Sequence, residues 1–245
     1  AGRCVHFQRV NMEFKAAAAT PLTRTQNPIV QGATVIGIKY NGGVIVCSDT
    51  LASYGGMARF KDVRRVIKVN EGTILGAGGD LSDFQYIKRA LEEEETELFC
   101  EDAGVSLSPK EVHAYLGRIL YHRRSKVDPL WNQLVIGGFD KKKGESFLGA
   151  VDLYGSQYTE NFVATGYGMY MAVPLLRRHW KEDMSFEEAK KLLDDCMTVL
   201  FYRHCRSFNR YVYAKVDKDG VEVSEPYSLE TKWDYKRFLD PFASN

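Results

Sequence analysis

The sequence predicts an α+β fold, a four-layer αββα sandwich of two antiparallel sheets flanked by helices. Two observations carry this. Runs rich in β-branched residues meet at Asn-Gly-type turns, which read as antiparallel hairpins. The element order is strands, two helices, strands, two helices, strands. That order suits two sheets packed face to face with helices outside better than alternating βαβ units. The chain has 245 residues, 44% of them hydrophobic and 27% charged, enough for one sizeable core.

Residues 1–32 stand apart from the rest. They carry Arg3, Arg9, Lys15 and Arg24 against Glu13 alone, an Ala16–Ala19 run, and no sustained periodicity. An arginine-rich, acid-poor leader can be a mitochondrial transit peptide; a pro-segment or flexible tail is the preferred reading. From Ala33 the pattern turns strand-like. Thr34–Tyr40 and Val44–Thr50 flank Asn41-Gly42-Gly43, and Arg65–Val69 and Thr73–Ala77 flank Asn70-Glu71-Gly72. A helix begins near Asp80, which can cap it, with Phe84, Ile87, Leu91 and Leu98 on one face. Ser108-Pro109-Lys110-Glu111 opens a second helix with a capping box and an early proline, its apolar face being Val112, Leu116, Ile119 and Leu120.

Strands resume at Gln133–Phe139, Glu145–Leu153 and Asn161–Ala164. A short helix is expected over Met169–Leu176. Ser185 and Glu188 cap a fourth, with Phe186, Ala189, Leu193, Cys196 and Leu200 facing inward. Arg210–Val216 and Val221–Ser224 make a last hairpin. The expected parse is a leader at 1–32, one domain at 33–228 and a C-terminal interaction arm at 229–245.

Charge and motif content narrow the function. Lys+Arg 33 against Asp+Glu 32 gives +1, no electrostatic case for nucleic acid or an anionic membrane. The basic runs Arg123-Arg124-Ser125-Lys126 and Lys141-Lys142-Lys143-Gly144 read as a solvated loop and a turn. Five scattered cysteines form no C-x-x-C pair, and five histidines form no H-E-x-x-H, so neither a disulfide framework nor a metal site is expected. No apolar run approaches a membrane span, and a reducing, intracellular compartment is expected. Gly76-Ala77-Gly78-Gly79-Asp80 lies where a phosphate-binding loop would, but fits neither G-x-G-x-x-G nor G-x-x-x-x-G-K-[ST]. A tight turn into a capped helix, or backbone N–H groups forming an oxyanion hole, are its other two readings. No cofactor is expected.

Gly32-Ala33-Thr34-Val35, Asp49, Arg65-Val66-Ile67 and Gly76-Ala77-Gly78-Gly79-Asp80 resemble, in order and spacing, the β subunits of the 20S proteasome. The resemblance extends to the non-catalytic β7 type through Thr25-Gln26-Asn27-Pro28-Ile29-Val30, Ser53-Tyr54-Gly55, Pro129-Leu130-Trp131-Asn132, Thr165-Gly166-Tyr167-Gly168 and Arg206-Ser207-Phe208-Asn209-Arg210. It covers roughly residues 25–230 and implies the N-terminal nucleophile (Ntn) hydrolase fold.

Active members of that family use a threonine hydroxyl at the mature N-terminus, with the freed α-amine taking the proton. Here the resemblance puts Ala33 at the nucleophile position. Removing a hydroxyl nucleophile costs on the order of 10⁶ in rate in a well-studied serine hydrolase. The lysine position holds Arg65, whose guanidinium does not exchange protons and suits a salt bridge. The second aspartate position falls on His204, and a Gly-Ser-Gly-Ser stretch appears as Gly166-Tyr167-Gly168-Met169, so Tyr167 and Met169 replace both hydroxyls. Asp49 and Gly79 survive, each with a structural role open to it. His204 lies near a helix end, where packing or compensation of the helix dipole is expected.

The resemblance further implies that the chain is no enzyme but an inactive subunit of a threonine-type endopeptidase complex in cytoplasm and nucleus. Self-cleavage at Gly32–Ala33 would fail, leaving Thr25 as the expected mature start after cutting by a neighbour. The arm carries Trp233, Tyr235, Phe238 and Phe242, aromatics suited to an interface. The family implies that it reaches the opposite β ring, with other contacts to same-ring β subunits and the α ring. Two rivals stand: an active N-terminal threonine hydrolase using Thr34, and a free-standing binding protein on the same fold. Against the first, successive side chains on a strand point to opposite faces, so Thr34 would aim its hydroxyl away.

Overall fold

The computed structural model describes residues 27–101 and 106–234. Thr25, Tyr235, Phe238 and Phe242, with most of the expected leader and arm, lie outside the described residues.

Strands β1 (Val30–Gly32), β2 (Val35–Tyr40), β3 (Gly43–Asp49), β4 (Ala52–Tyr54), β5 (Met57–Phe60), β6 (Val66–Asn70) and β7 (Thr73–Asp80) come first. Helices α1 (Leu81–Cys100) and α2 (Pro109–Ser125) follow, then β8 (Asn132–Asp140), β9 (Glu145–Val151), β10 (Gln157–Thr159) and β11 (Phe162–Ala164). Helices α3 (Gly168–Met171), α4 (Val173–His179) and α5 (Phe186–Arg203) precede the hairpin β12 (Tyr211–Asp217) and β13 (Gly220–Val223).

These strands form two antiparallel sheets. One runs β10-β9-β8-β7-β1-β4-β5, with β6 also pairing β7; the other runs β11-β2-β3-β12-β13. The period-two pattern of the strands builds the layers. Val35, Val44 and Val46 meet Val135, Leu148 and Ala150 between the sheets. Their alternates Ile36, Ile38, Ile45 and Cys47 face Leu176, Leu193, Cys196 and Leu200 of α4 and α5. On the other side, Phe84, Ile87 and Leu91 of α1 and Val112, Leu116 and Leu120 of α2 cover Leu75, Leu134 and Ile136. The result is the expected αββα sandwich. Gly76 lets its layers close, because a Cβ there would stand 2.6 Å from Val35 Cγ1 and 2.9 Å from Val46 Cγ1.

Both capping boxes form, Ser108 with Glu111 and Ser185 with Glu188. Three expectations are corrected. Gly76–Asp80 is not a turn but the end of β7, held in extended pairing by β8 on one side and by β6 and then β1 on the other. The helix expected over Met169–Leu176 is two, α3 and α4, with Pro174 lacking an N–H near the start of the second. The expected leader, 1–32, is structured at its end: Val30–Gly32 is the strand β1, joining β7 to β4.

Candidate functional site

The first sheet brings Ala33 to the end of β1, where the chain crosses to β2. Below it lies Arg65, 2% exposed despite its charge. Its Nη2 pairs with the Asp49 carboxylate at the end of β3 and donates to Thr34 O at 3.3 Å. Its Nη1 donates to Ala77 O at 2.9 Å and to Ala33 O at 3.4 Å. Asp49 Oδ2 also accepts from Phe208 N at 3.1 Å. Burial pushes the Asp49 carboxyl up, opposed by the Arg65 guanidinium and the Phe208 N–H. Arg65 is thus held by four oxygens, and a Cβ on Gly32 would stand 2.3 Å from its Cδ.

A cleft of about 500 Å³ opens above Ala33, lined by Gly32, Gly79, Asn132, Tyr167, His204 and Cys205 among others. Gly79 takes φ +96°, and the Asn132 amide ties β8 to this turn-free strand end by donating to Gly78 O and Asp80 O. His204 caps the C-terminus of α5, and its ring lies 4.6 Å from that of Tyr167. A small void below joins Ala33 and Asp49 to His204. The structure therefore gathers Ala33, Asp49, Arg65, Gly79, Tyr167 and His204. Met169 does not join them; it lines a separate hollow with Gln133 and Ala150. Among the described residues no group of three or more His, Cys, Asp or Glu is gathered as a metal site requires.

Thr34 is buried, and its Oγ1 accepts from Gly168 N at 3.2 Å. Trp233, 55% exposed, leans on Phe201 and Tyr202 of its own α5 at ring distances of 5.9 Å and 5.0 Å. Sequence reasoning missed the second role of Asp80. One carboxylate oxygen caps α1 at Ser82 N and Asp83 N, while the other accepts from Ile29 N at 2.9 Å and so anchors β1. It also missed Asn132, whose only sequence signal is a polar residue opening an apolar strand.

Burial lowers the His204 imidazole below its ordinary value, with Arg206 adding repulsion, so it carries no charge to offset the helix dipole at neutral pH. Burial lowers His113 likewise, against a hydrogen bond to Ala150 O at 3.1 Å. Below about pH 6.5 the unfolded chain takes up protons that these folded sites refuse. Stability is therefore expected to be constant above that pH and to fall as pH drops through it. Urea denaturation between pH 7.5 and 5 checks this, with His204→Gln flattening the slope.

The fold and cleft define a class, the proteasome-type sandwich of the N-terminal nucleophile hydrolases. The family described as "Proteasome subunit" matches residues 29–216, and the chain belongs to that family. Relatives include a proteasome subunit beta type-4 of Xenopus laevis, 47% identical over 91% of this chain and 93% of the relative. Another beta type-4 subunit, of Arabidopsis thaliana, is 46% identical over 90% and 89%. A beta type-7 subunit of Saccharomyces cerevisiae is 37% identical over 96% and 92%. The chain is thus similar along most of its length to core β subunits, and it works in assembly with other proteasome subunits.

Proposed function

We propose that this chain is a non-catalytic structural subunit of the 20S core β ring, which completes the ring and supports degradation of ubiquitin-marked proteins by its neighbours. The observation carrying this is Ala33 lining the cleft with only a methyl side chain, where the active members place a threonine hydroxyl. The surrounding groups support it. Arg65 is locked into a buried ion pair and cannot exchange protons. His204, kept neutral by burial and packed against the tilted Tyr167 ring, stands where the family resemblance puts a carboxylate. The rival nucleophile Thr34 is buried and its oxygen already accepts a hydrogen bond.

In this reading the chain contacts β neighbours in its own ring, an α-ring subunit, and the opposite β ring through Trp233, Tyr235, Phe238 and Phe242. Four aromatics within ten residues of sequence on such an arm favour an assembled subunit over a free-standing binding protein. Thr25 is the proposed mature start, and cytoplasm and nucleus are the proposed compartments. Native mass spectrometry of the tagged endogenous chain tests the assembly. Recovery in a large particle with α and β subunits is expected; a predominant free monomer would return the binding-protein reading.

A further inference from the structure

Three elements meet around the small void beneath Ala33, whose volume is about 10 Å³. Asp49 comes from the end of β3 and His204 from the C-terminal cap of α5. Tyr211 opens β12 and stands opposite Asp49 in the sheet. Six of the eight lining residues are buried, Tyr211 to 2% exposure and His204 to 8%. Two of the six carry a polar atom left over. Tyr211 Oη and His204 Nδ1 have no hydrogen-bond partner among the described residues.

A buried donor or acceptor without a partner bears the full cost of its desolvation, so native proteins rarely keep one. Here two such residues line one void. Its size matches a single water, which needs on the order of 10–15 Å³ open to its centre and two to four polar partners. The lining supplies partners of complementary kind. Burial and the Asp49 charge push the Tyr211 phenol up, so it keeps its proton and donates. Ser207 Oγ gives its own proton to His204 O at 2.7 Å, which leaves its lone pairs to accept. A neutral imidazole offers Nδ1 as donor or acceptor according to tautomer, and water answers either. An ion suits the void less well, because the Arg65 guanidinium already balances Asp49 and His204 carries no charge at neutral pH.

We propose that one ordered water is bound beneath Ala33 and bridges Tyr211 Oη to His204 Nδ1. The bridge ties the end of α5 to the start of β12 and completes the polar floor of the cleft. It also fixes the plane of the His204 ring, against which Tyr167 packs. Tyr211 thereby becomes a positioning residue for the cleft without lining it.

A density map of the purified particle, fine enough to show ordered waters, is the first test. One peak is expected in the void, within hydrogen-bonding reach of both Tyr211 Oη and His204 Nδ1. An empty void in a map that shows other enclosed waters overturns the proposal, as does a direct bond between the two side chains. The second test reads a sign. Tyr211→Phe keeps the ring and removes only the hydroxyl. With a bridging water, that loss should lower the folding equilibrium constant of the full chain by about threefold to tenfold, measured by urea denaturation, and should weaken the peak in the map. In a dry void the hydroxyl is an uncompensated burden, and its removal would be neutral or stabilising. A Tyr211→Phe chain as stable as the unaltered one, or more so, overturns the bridge.

Discussion

Arg65→Ala is expected to destabilise the subunit by about 3–5 kcal/mol, enough to exclude it from assembled particles. The substitution strands the Asp49 carboxylate, buried beside Phe208 N, without its cation, and removes the donor shared by Ala33 O, Thr34 O and Ala77 O. Burial then acts on Asp49 almost unopposed and raises its pKa further above the unfolded value. The folded variant binds a proton that the unfolded chain has released, so its stability falls as pH rises from about 4 toward neutrality. Acid should therefore partly rescue Arg65→Ala. The double variant Arg65→Met, Asp49→Leu removes both charges and is expected to recover most of the loss. Urea midpoints of the full chain, with incorporation measured beside wild type, check both; a near-neutral Arg65→Ala would mean the pair does not hold the site.

Gly79→Ala is expected to cost about 3 kcal/mol or more. An L side chain at φ +96° contributes backbone strain of about 1–3 kcal/mol. Its Cβ would also stand 2.0 Å from Trp131 O and 3.0 Å from Asn132 Cα, both backbone atoms that cannot rotate away. Relief requires β7 and β8 to separate at the edge of the cleft, where β1 is paired. Gly56→Ala is the control, since nothing stands within 4 Å of its Cβ, and its effect should stay within about 0.5 kcal/mol. Thermal denaturation of particles carrying each variant separates the two.

Much of the fold was legible because its long elements carry local signals. The β-branched runs along 35–40 and 43–49, the two capping boxes and the turns at Asn41 and Asn70 are all written within a few residues. What escaped was short and held from a distance. Strands β1, β4, β5 and β10 have three or four residues each, too few to show alternation; β5 and β10 fold back on their neighbours β4 and β9, while β1 exists because the distant β4 and β7 offer it edges. The glycine run before α1 looked like a turn because glycine is the usual turn residue; its extended form is imposed by strands on both sides.

The site divides in the same way. An ion pair at Arg65 was legible from the guanidinium alone; that Asp49 is its partner, and that both are buried, comes from the structure. The twin duties of Asp80 and the bridging by Asn132 were not, since both depend on the approach of segments about 50 residues away. The dipole role considered for His204 gives way to packing: desolvation keeps its ring neutral, and Tyr167 covers it.

The most direct measurement exposes purified particles to a threonine-directed epoxyketone and then weighs each chain. The sister β subunits should gain the probe while this chain stays unmodified and begins upstream of Ala33. A probe adduct on this chain, or a mature start at Ala33 or Thr34, would contradict the structural-subunit reading.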